Sequence, residues 1–312
     1  MAKNVLLTGS SGFLGSYILK AFQEAGFEVF NIRRRTVEGI HSIKSDLTHA
    51  DIDIPSIAFE KVVHIAGKAH VFPKTQAEEQ MFYTVNLEGT KNLLLAMDKK
   101  GIVPRQFVFI STVAVYGLNK GEMISEYQSP HPTTPYGESK WLAEKTVQEW
   151  CAQKGVSALI FRLPLIAGSN PPGNLGDMRK SIEKGAYISI KNNRAQKSIV
   201  LAEDVAHLIA TVATNASGTF NLTDQVHPSF EQIEMAMSER LGKKIKIKLP
   251  LVLLRPMALV GDMLGKILKK DMPLSSLRLE KITSTLTFDD SKAYNELNWR
   301  PKGAIEFIRK LI

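Results

Sequence analysis

The sequence contains one cysteine, Cys151, in 312 residues. A single thiol forms neither an internal disulfide nor a cysteine-rich zinc site, so a reducing, cytoplasmic setting is expected. The seven histidines show no HxH and no HExxH spacing, and no metal site is expected. No apolar run reaches the roughly 18 residues of a membrane span. The longest, near Leu249 to Leu268, is interrupted by Arg255, Asp262 and Lys266. It reads as an amphipathic helix packed on the core, with membrane-surface contact as the alternative. Near the start, Val5-Leu6-Leu7 is too short for the core of a secretion signal. No basic stripe interleaved with aromatics is present, so nucleic acid is not an expected partner. Internal repeats and low-complexity segments are also lacking.

The chain is 44% hydrophobic and 23% charged, enough for a sizeable core. Its formal net charge of +9 favours anionic ligands without naming one. The run Lys243-Lys244-Ile245-Lys246-Ile247-Lys248 alternates like an exposed edge strand.

Buried strands are predicted at 4–8, 28–32, 61–65, 106–111 and 158–163, with helices at 14–25, 86–97 and 135–154 between them. Strands alternating with helices on short connections imply an α/β fold, a Rossmann-like parallel sheet with helices on both faces. The alternation weakens after about residue 164. Beyond it a helix around 178–184, another at 203–213 and a strand at 218–222 that could rejoin the sheet are expected. The expected organisation is a dinucleotide-binding domain over 1–164, with about 198–224 returning to it. Residues 165–197 and 225–312 would form a smaller substrate-binding lobe.

The first strand runs into Thr8-Gly9-Ser10-Ser11-Gly12-Phe13-Leu14-Gly15. Between a strand and a helix, Gly9 permits a tight turn and Gly12 lets backbone approach a pyrophosphate. Gly15 lets the helix pack closely, with its N-terminus facing the negative charge. Gly9, Ser11, Gly12, Phe13, Leu14 and Gly15 are therefore candidate cofactor contacts. At the end of the second strand stands Asn31-Ile32-Arg33-Arg34-Arg35. Arginines cannot accept a bond from a ribose hydroxyl but suit a 2′-phosphate. Arg33 and Arg34 thus favour NADP, with NAD as the alternative.

Tyr136-Gly137-Glu138-Ser139-Lys140 puts Tyr136 and Lys140 on one helix face, a turn apart. A free tyrosine, with its pKa near 10, is a poor proton carrier at neutral pH, and a nearby ammonium is expected to lower it.

The GxxGxxG spacing followed by YxxxK resembles the extended branch of the short-chain dehydrogenase/reductase family, and the resemblance runs through the chain. It implies that Asp46 and Leu47 lie near the adenine. It likewise places His64-Ile65-Ala66-Gly67 along the cofactor, Ala66 included, and Asn86 on the following helix. It matches Phe109-Ile110-Ser111-Thr112-Val113-Ala114-Val115-Tyr116-Gly117 to the family's serine-rich strand end. Thr112 then completes a catalytic triad with Tyr136 and Lys140, Ser111 is structural, and Tyr116 either lines the sugar pocket or packs in the turn. Lys140 would also bond the nicotinamide ribose. The family's 4,6-dehydratases carry Asp and Glu where this chain has Val113 and Ala114. Neither of these moves a proton, which argues against that reaction.

On the substrate side the resemblance makes Asn174 a candidate for phosphate or sugar. Lys197 stands where relatives carry an arginine to the nucleotide diphosphate, with Arg194 as a substitute and Arg278 as a second diphosphate contact. The closing Asp290-Ser291-Lys292-Ala293 and Leu297-Asn298-Trp299-Arg300-Pro301 resemble a structural signature of a last, anchored helix.

The resemblance implies an enzyme acting at C4 of a nucleotide-sugar, a UDP-sugar by this match, in polysaccharide synthesis. The arginines place reduction of an NDP-4-keto-hexose first and an NAD-dependent 4-epimerase second. A non-catalytic dinucleotide-binding regulator is the alternative of another class. A homodimer through the Tyr136 helix is implied as well, with Trp141 and Leu142 compatible with that interface or with a core.

Overall fold

The computed structural model describes residues 3–36, 41–69, 73–268 and 274–310, without the side chains of 266 and 267. Seven parallel strands form the central sheet: β1 (Asn4–Thr8), β2 (Glu28–Arg33), β3 (His41–Lys44), β4 (Lys61–His64), β5 (Gln106–Thr112), β6 (Ser157–Leu163) and β7 (Gly218–Asn221). Their spatial order is β7-β6-β5-β4-β1-β2-β3. The order reverses direction beside β1, and in open parallel sheets ligands bind at that crevice. The strand β3 has no counterpart among the expected ones. It is four residues long, lies at the sheet edge and buries no side chain fully, so it lacks an apolar signature.

The helices are α1 (Phe13–Glu24), α2 (Gln76–Phe82), α3 (Gly89–Lys99), α4 (Pro135–Lys154), α5 (Gly173–Glu183), α6 (Ala202–Thr211), α7 (Phe230–Leu241), α8 (Leu251–Leu268), α9 (Ser276–Thr283), α10 (Ser291–Glu296) and α11 (Ala304–Lys310). One sheet face is covered by α1 and α6, through Leu14, Ile18 and Phe22 and through Val205, Ala206 and Ile209. Each such apolar side chain stabilises the fold by about 1.5–3 kcal/mol on burial. The other face carries α3 and α4, through Leu93, Leu94 and Met97 and through Ala143, Val147 and Trp150.

The helix expected at 86–97 begins earlier. Thr75 caps α2 by accepting from Glu78 N, and a π-helical turn over Tyr83–Glu88 joins α2 to α3. Similarly, α5 starts at Gly173, directly after Pro171-Pro172. Proline is compatible with the entry to a helix because the first turn needs no N–H partner. In the basic run only Ile247–Leu249 becomes strand, paired in parallel with Ile188–Ile190.

β7 lies parallel to β6, Gly218 opposite Leu159. The closing signature locks this edge. Trp299 Nε1 donates to the Thr223 carbonyl at 2.7 Å and to Asp290 at 3.2 Å. A separate apolar cluster joins α5, α7 and α11, and a smaller one joins Ile190, Leu254, Ala258 and Leu279.

Candidate functional site

Backbone geometry dictates the glycine turn. Gly9 has φ of +73°, and a Cβ there would sit 2.6 Å from the backbone nitrogen of Ala66. A Cβ on Gly15 would fall 2.1 Å from the Gly9 carbonyl oxygen. Gly12 differs: its N–H donates to the Gly9 carbonyl at 3.0 Å, and within 4 Å a Cβ would meet only that oxygen, at 3.3 Å. The face of the turn at Gly12 is therefore open to an approaching group, while the faces at Gly9 and Gly15 are closed by the protein. Ser11 is exposed beside it, and Leu14 points into the core. Phe13 packs edge-on to Tyr17 at 5.6 Å and lies under Gly168, whose Cβ would come within 2.8 Å of its ring.

Two polar groups that the sequence did not single out lie here. Ser10 is 3% exposed and Asn31 0% exposed. The Ser10 hydroxyl and both amide atoms of Asn31 have no hydrogen-bond partner among the described residues. Asn31 sits opposite Leu7 of β1, on the α1 face of the sheet. Buried polar atoms are nearly always paired, so orphans beside an open glycine turn suit a site completed by a polar ligand.

The ends of β1 and β4 are tied together. His64 Nδ1 lies 2.6 Å from the Thr8 hydroxyl, and Nε2 lies 2.9 Å from that of Thr90. Burial pushes the His64 pKa down to about 3, with the Lys140 charge adding to the effect. It is a neutral bridge, not an acid. Thr8 in turn accepts from the N–H groups of Ile65 and Ala66, both at 3.2 Å. Asn86, within the π-helical turn, accepts from Lys68 N at 2.7 Å and donates to Ser139 at 3.0 Å. It joins the strand end after β4 to the residue preceding Lys140. π-Turns recur at functional sites because they re-aim one side chain without ending the helix.

Thr112 ends β5 and caps the next turn by accepting from Ala114 N at 3.2 Å. The helix α4 begins at Pro135, and Thr134 caps it by accepting from Gly137 N at 3.1 Å. This fixes Tyr136 in the first turn and Lys140 a turn later. Burial raises the Tyr136 pKa, while Thr112 lowers it. Burial pulls Lys140 down to about 7, with Glu144 opposing. The lowering that acts on the tyrosine comes from Thr112 and not, as expected, from the lysine, and desolvation outweighs it. The Lys140 amine lies 4.0 Å from the centre of the Phe109 ring, a cation–π position.

Behind Lys140, Glu144 forms a buried ion pair with Arg162 at 2.7 Å and accepts a short bond from Ser111. Ser111 therefore does have a structural partner. Tyr116 is packed: it is 1% exposed and donates to Asn221 at 2.8 Å. It packs against Phe288 and Arg162. The arginine-rich strand end is open, with Arg33 half-buried and Arg34 and Arg35 exposed. Asp46 accepts from Thr48 N at 3.0 Å and Thr48 Oγ1 at 2.9 Å. Those bonds lower its pKa, and Arg34 adds to the effect, which places Arg34 and Asp46 in one electrostatic neighbourhood. Leu47 packs where a Cβ on Gly89 would be 3.4 Å away, and its carbonyl accepts from Asn92 at 2.8 Å.

Residues 5–223 match the NAD dependent epimerase/dehydratase family. The chain belongs to that family. It is 30% identical over 312 aligned residues to the N-acetyl-alpha-D-glucosaminyl-diphospho-ditrans,octacis-undecaprenol 4-epimerase of Escherichia coli O157:H7, covering 95% of this chain and 90% of that protein. It is 26% identical over 323 residues to the UDP-glucose 4-epimerase of Vibrio cholerae, covering 98% and 93%. The fold resembles the UDP-glucose 4-epimerase of Thermus thermophilus in complex with NAD, with a TM-score of 0.73, 23% identity, and coverage of 98% and 96%.

In this epimerase/dehydratase chain the sugar-side candidates are dispersed. Asn174 is exposed in the first turn of α5, and Arg194 is exposed on a loop. Lys197 is 8% exposed and donates to the Ser284 carbonyl at 2.7 Å. Burial brings its pKa to about 8, with Lys281 adding to the effect. Its amine is engaged within the protein, which leaves Arg194 as the more accessible cation. Arg278 lies on α9, whose cap, Ser275, accepts from Arg278 N at 3.3 Å. Lys197 is thereby joined to the residue that follows the helix bearing Arg278. Among the described residues, no group of three His, Cys, Asp or Glu side chains could hold a metal ion.

Proposed function

We propose that the chain is a 4-epimerase of a sugar carried on a diphosphate. The observation that carries this is Tyr136 and the buried Lys140 one turn apart on α4, with Thr112 acting on Tyr136 from the end of β5, and Val113 and Ala114 next to it in the chain. That set moves one proton and offers no second acid–base pair for elimination. The two 4-epimerase relatives, matched over nearly the whole chain, weigh for epimerisation over the ketoreductase that the arginines placed first.

The open turn at Gly12 and the orphaned Ser10 hydroxyl fit a dinucleotide, and when bound it supplies the hydride acceptor and donor. Gly9, Ser11, Gly12, Phe13, Leu14, Gly15, Asp46, Leu47 and Ala66 are assigned to its cradle. Tyr136 removes the proton of the C4 hydroxyl as C4 is oxidised. Thr112 holds that oxygen, and Tyr136 returns the proton after the keto sugar has turned. Lys140, its pKa brought down to about 7 by burial, exchanges its own proton near neutrality one turn from Tyr136. Arg194, Arg278 and Asn174 are assigned to the diphosphate end, with Lys197 bonded to the Ser284 carbonyl instead. The division into a dinucleotide-binding domain and a sugar-binding lobe, and pairing of two copies through the half-buried Trp141 and Leu142 of α4, belong to the same proposal.

The carrier is the finer question. The Vibrio relative supports a UDP-sugar, and the Escherichia relative a polyprenyl diphosphate. A ketoreductase is the second reading, favoured by Arg33 and Arg34 where a 2′-phosphate would lie.

The test is mass spectrometry of nucleotide released from the purified protein, then incubation with UDP-N-acetylglucosamine and UDP-glucose followed by NMR. Retained NAD and interconversion of C4 epimers without net reductant use are expected. An empty site that prefers NADPH, with stoichiometric reductant use on a 4-keto sugar, overturns the epimerase in favour of the reductase.

A further inference from the structure

Most of the surface of α8 is apolar and uncovered. Of its side chains, Leu254 and Ala258 enter the cluster with Ile190 and Leu279. At about 100° per residue these two define one narrow stripe. Val252, Leu253, Leu259, Val260, Met263 and Leu264 fall on the opposite half of the helix and are exposed, Val252 at 76% and Leu259 at 65%. The polar side is thin. Arg255 and Asp262 share it, and Asp262 is turned to the protein, accepting from Ser276 N at 3.1 Å. A surface helix ordinarily shows one apolar stripe and one polar face. This one has two apolar faces, one buried and one in water.

The sequence around that helix is mostly basic, although Lys248 pairs with Glu231 at 3.9 Å. Between residues 243 and 270 the sequence has eight lysines and arginines and a single carboxylate, Asp262. Lys243, Lys244, Lys246 and Lys248, on the segment entering α8, are all exposed. An apolar band flanked by cations is complementary to a layer of anionic headgroups over acyl chains. It is poorly matched to a second copy of itself, since a two-fold contact would bring equal positive patches together. A spanning arrangement is excluded for this helix, because no helix among the described residues is long and apolar enough to cross a membrane.

We infer that α8 is a docking element for an anionic membrane surface, lying in the headgroup plane with Val252, Leu259, Val260 and Met263 toward the acyl chains. The inference stands on the helix itself and does not depend on the reading of the catalytic site. The helix α9, which carries Arg278, packs through Leu279 on the buried stripe of α8, the side turned away from the proposed membrane face.

The test is sedimentation of the full chain with vesicles of phosphatidylcholine alone and of phosphatidylcholine with phosphatidylglycerol. The expected result is binding to the anionic vesicles, weakened by salt and slight on the neutral ones. The double variant Leu259→Glu with Met263→Glu should bind at least about tenfold less, with dinucleotide affinity unchanged as evidence of folding. Lys243→Gln with Lys244→Gln should weaken binding to anionic vesicles alone. Three results overturn the inference: no binding to anionic vesicles, equal binding by the Leu259/Met263 variant, or light scattering that shows this variant dissociating a dimer. The last would assign the face to a second copy. Because dinucleotide binding is read separately, failure of docking and failure of the epimerase reading are distinguishable.

Discussion

At the glycine turn, main chain meets main chain. The Cβ that Gly15 lacks would lie 2.1 Å from the Gly9 carbonyl, and the one Gly9 lacks 2.6 Å from Ala66 N. At the sugar-side end, a long side chain reaches across the fold, as where Lys197 meets the Ser284 carbonyl 2.7 Å away. In the first region the residue type is imposed, because nothing larger than hydrogen fits. In the second, several cations could serve, and which one faces the ligand is settled by packing. A pattern of residue types is therefore a strong signal for the cofactor end and a weak one for the sugar end.

The sharpest way to break this contrast is at the catalytic pair between the two regions. Tyr136→Phe should lower kcat by about 10²–10⁴-fold with dinucleotide affinity unchanged, read by steady-state kinetics and a binding titration. A variant retaining full turnover would remove the proposed chemistry. Next comes the ion pair behind it. Glu144→Ala leaves the buried Arg162 guanidinium uncompensated and should cost about 3–5 kcal/mol in urea unfolding. If loss of stability stayed under about 1 kcal/mol, the pair would be behaving as a surface salt bridge.

Lys61 gives a pH test of the sheet. It is 1% exposed, donates to the carbonyls of Ile209 and Val212, and has its pKa brought down to about 8, chiefly by burial. Between that value and its ordinary 10.5 the unfolded chain holds more protons than the folded one. Stability should thus rise with pH across this window, by up to about 3 kcal/mol from this group. Lys61→Met should flatten that rise in unfolding measured from pH 8 to 10, and an unchanged slope would assign it elsewhere. The smallest effect concerns the sugar end. Arg194→Ala should raise KM for the diphosphate sugar about tenfold, as loss of one charge-assisted bond, with kcat and thermal midpoint nearly unchanged. Lys197→Met should do the reverse, moving the midpoint more than KM. Exchange of these two outcomes would show that Lys197 leaves Ser284 to reach the ligand.

The same contrast explains what was legible beforehand. The strands β1, β4, β5 and β6 and the helix α4 carried continuous apolar runs or clean caps, and their positions followed from the residues. The strand β3 did not, because a short half-polar edge strand resembles a loop. Ser10 and Asn31 are ordinary in sequence, and only the burial of their unpaired atoms singles them out. Tyr116 had two equal readings until Asn221, 105 positions away, supplied its partner.

By itself the sequence determined the alternation of strands and helices, the glycine turn and the Tyr136–Lys140 spacing, because each is written in residue types a few positions apart, even where, as at Gly9, the contact that requires the residue comes from Ala66. The tertiary structure decided which charges stay in water, which lysines lose part of their proton affinity, and that α8 keeps an apolar face uncovered. Those depend on desolvation and on partners brought together from distant parts of the chain, which no local pattern records.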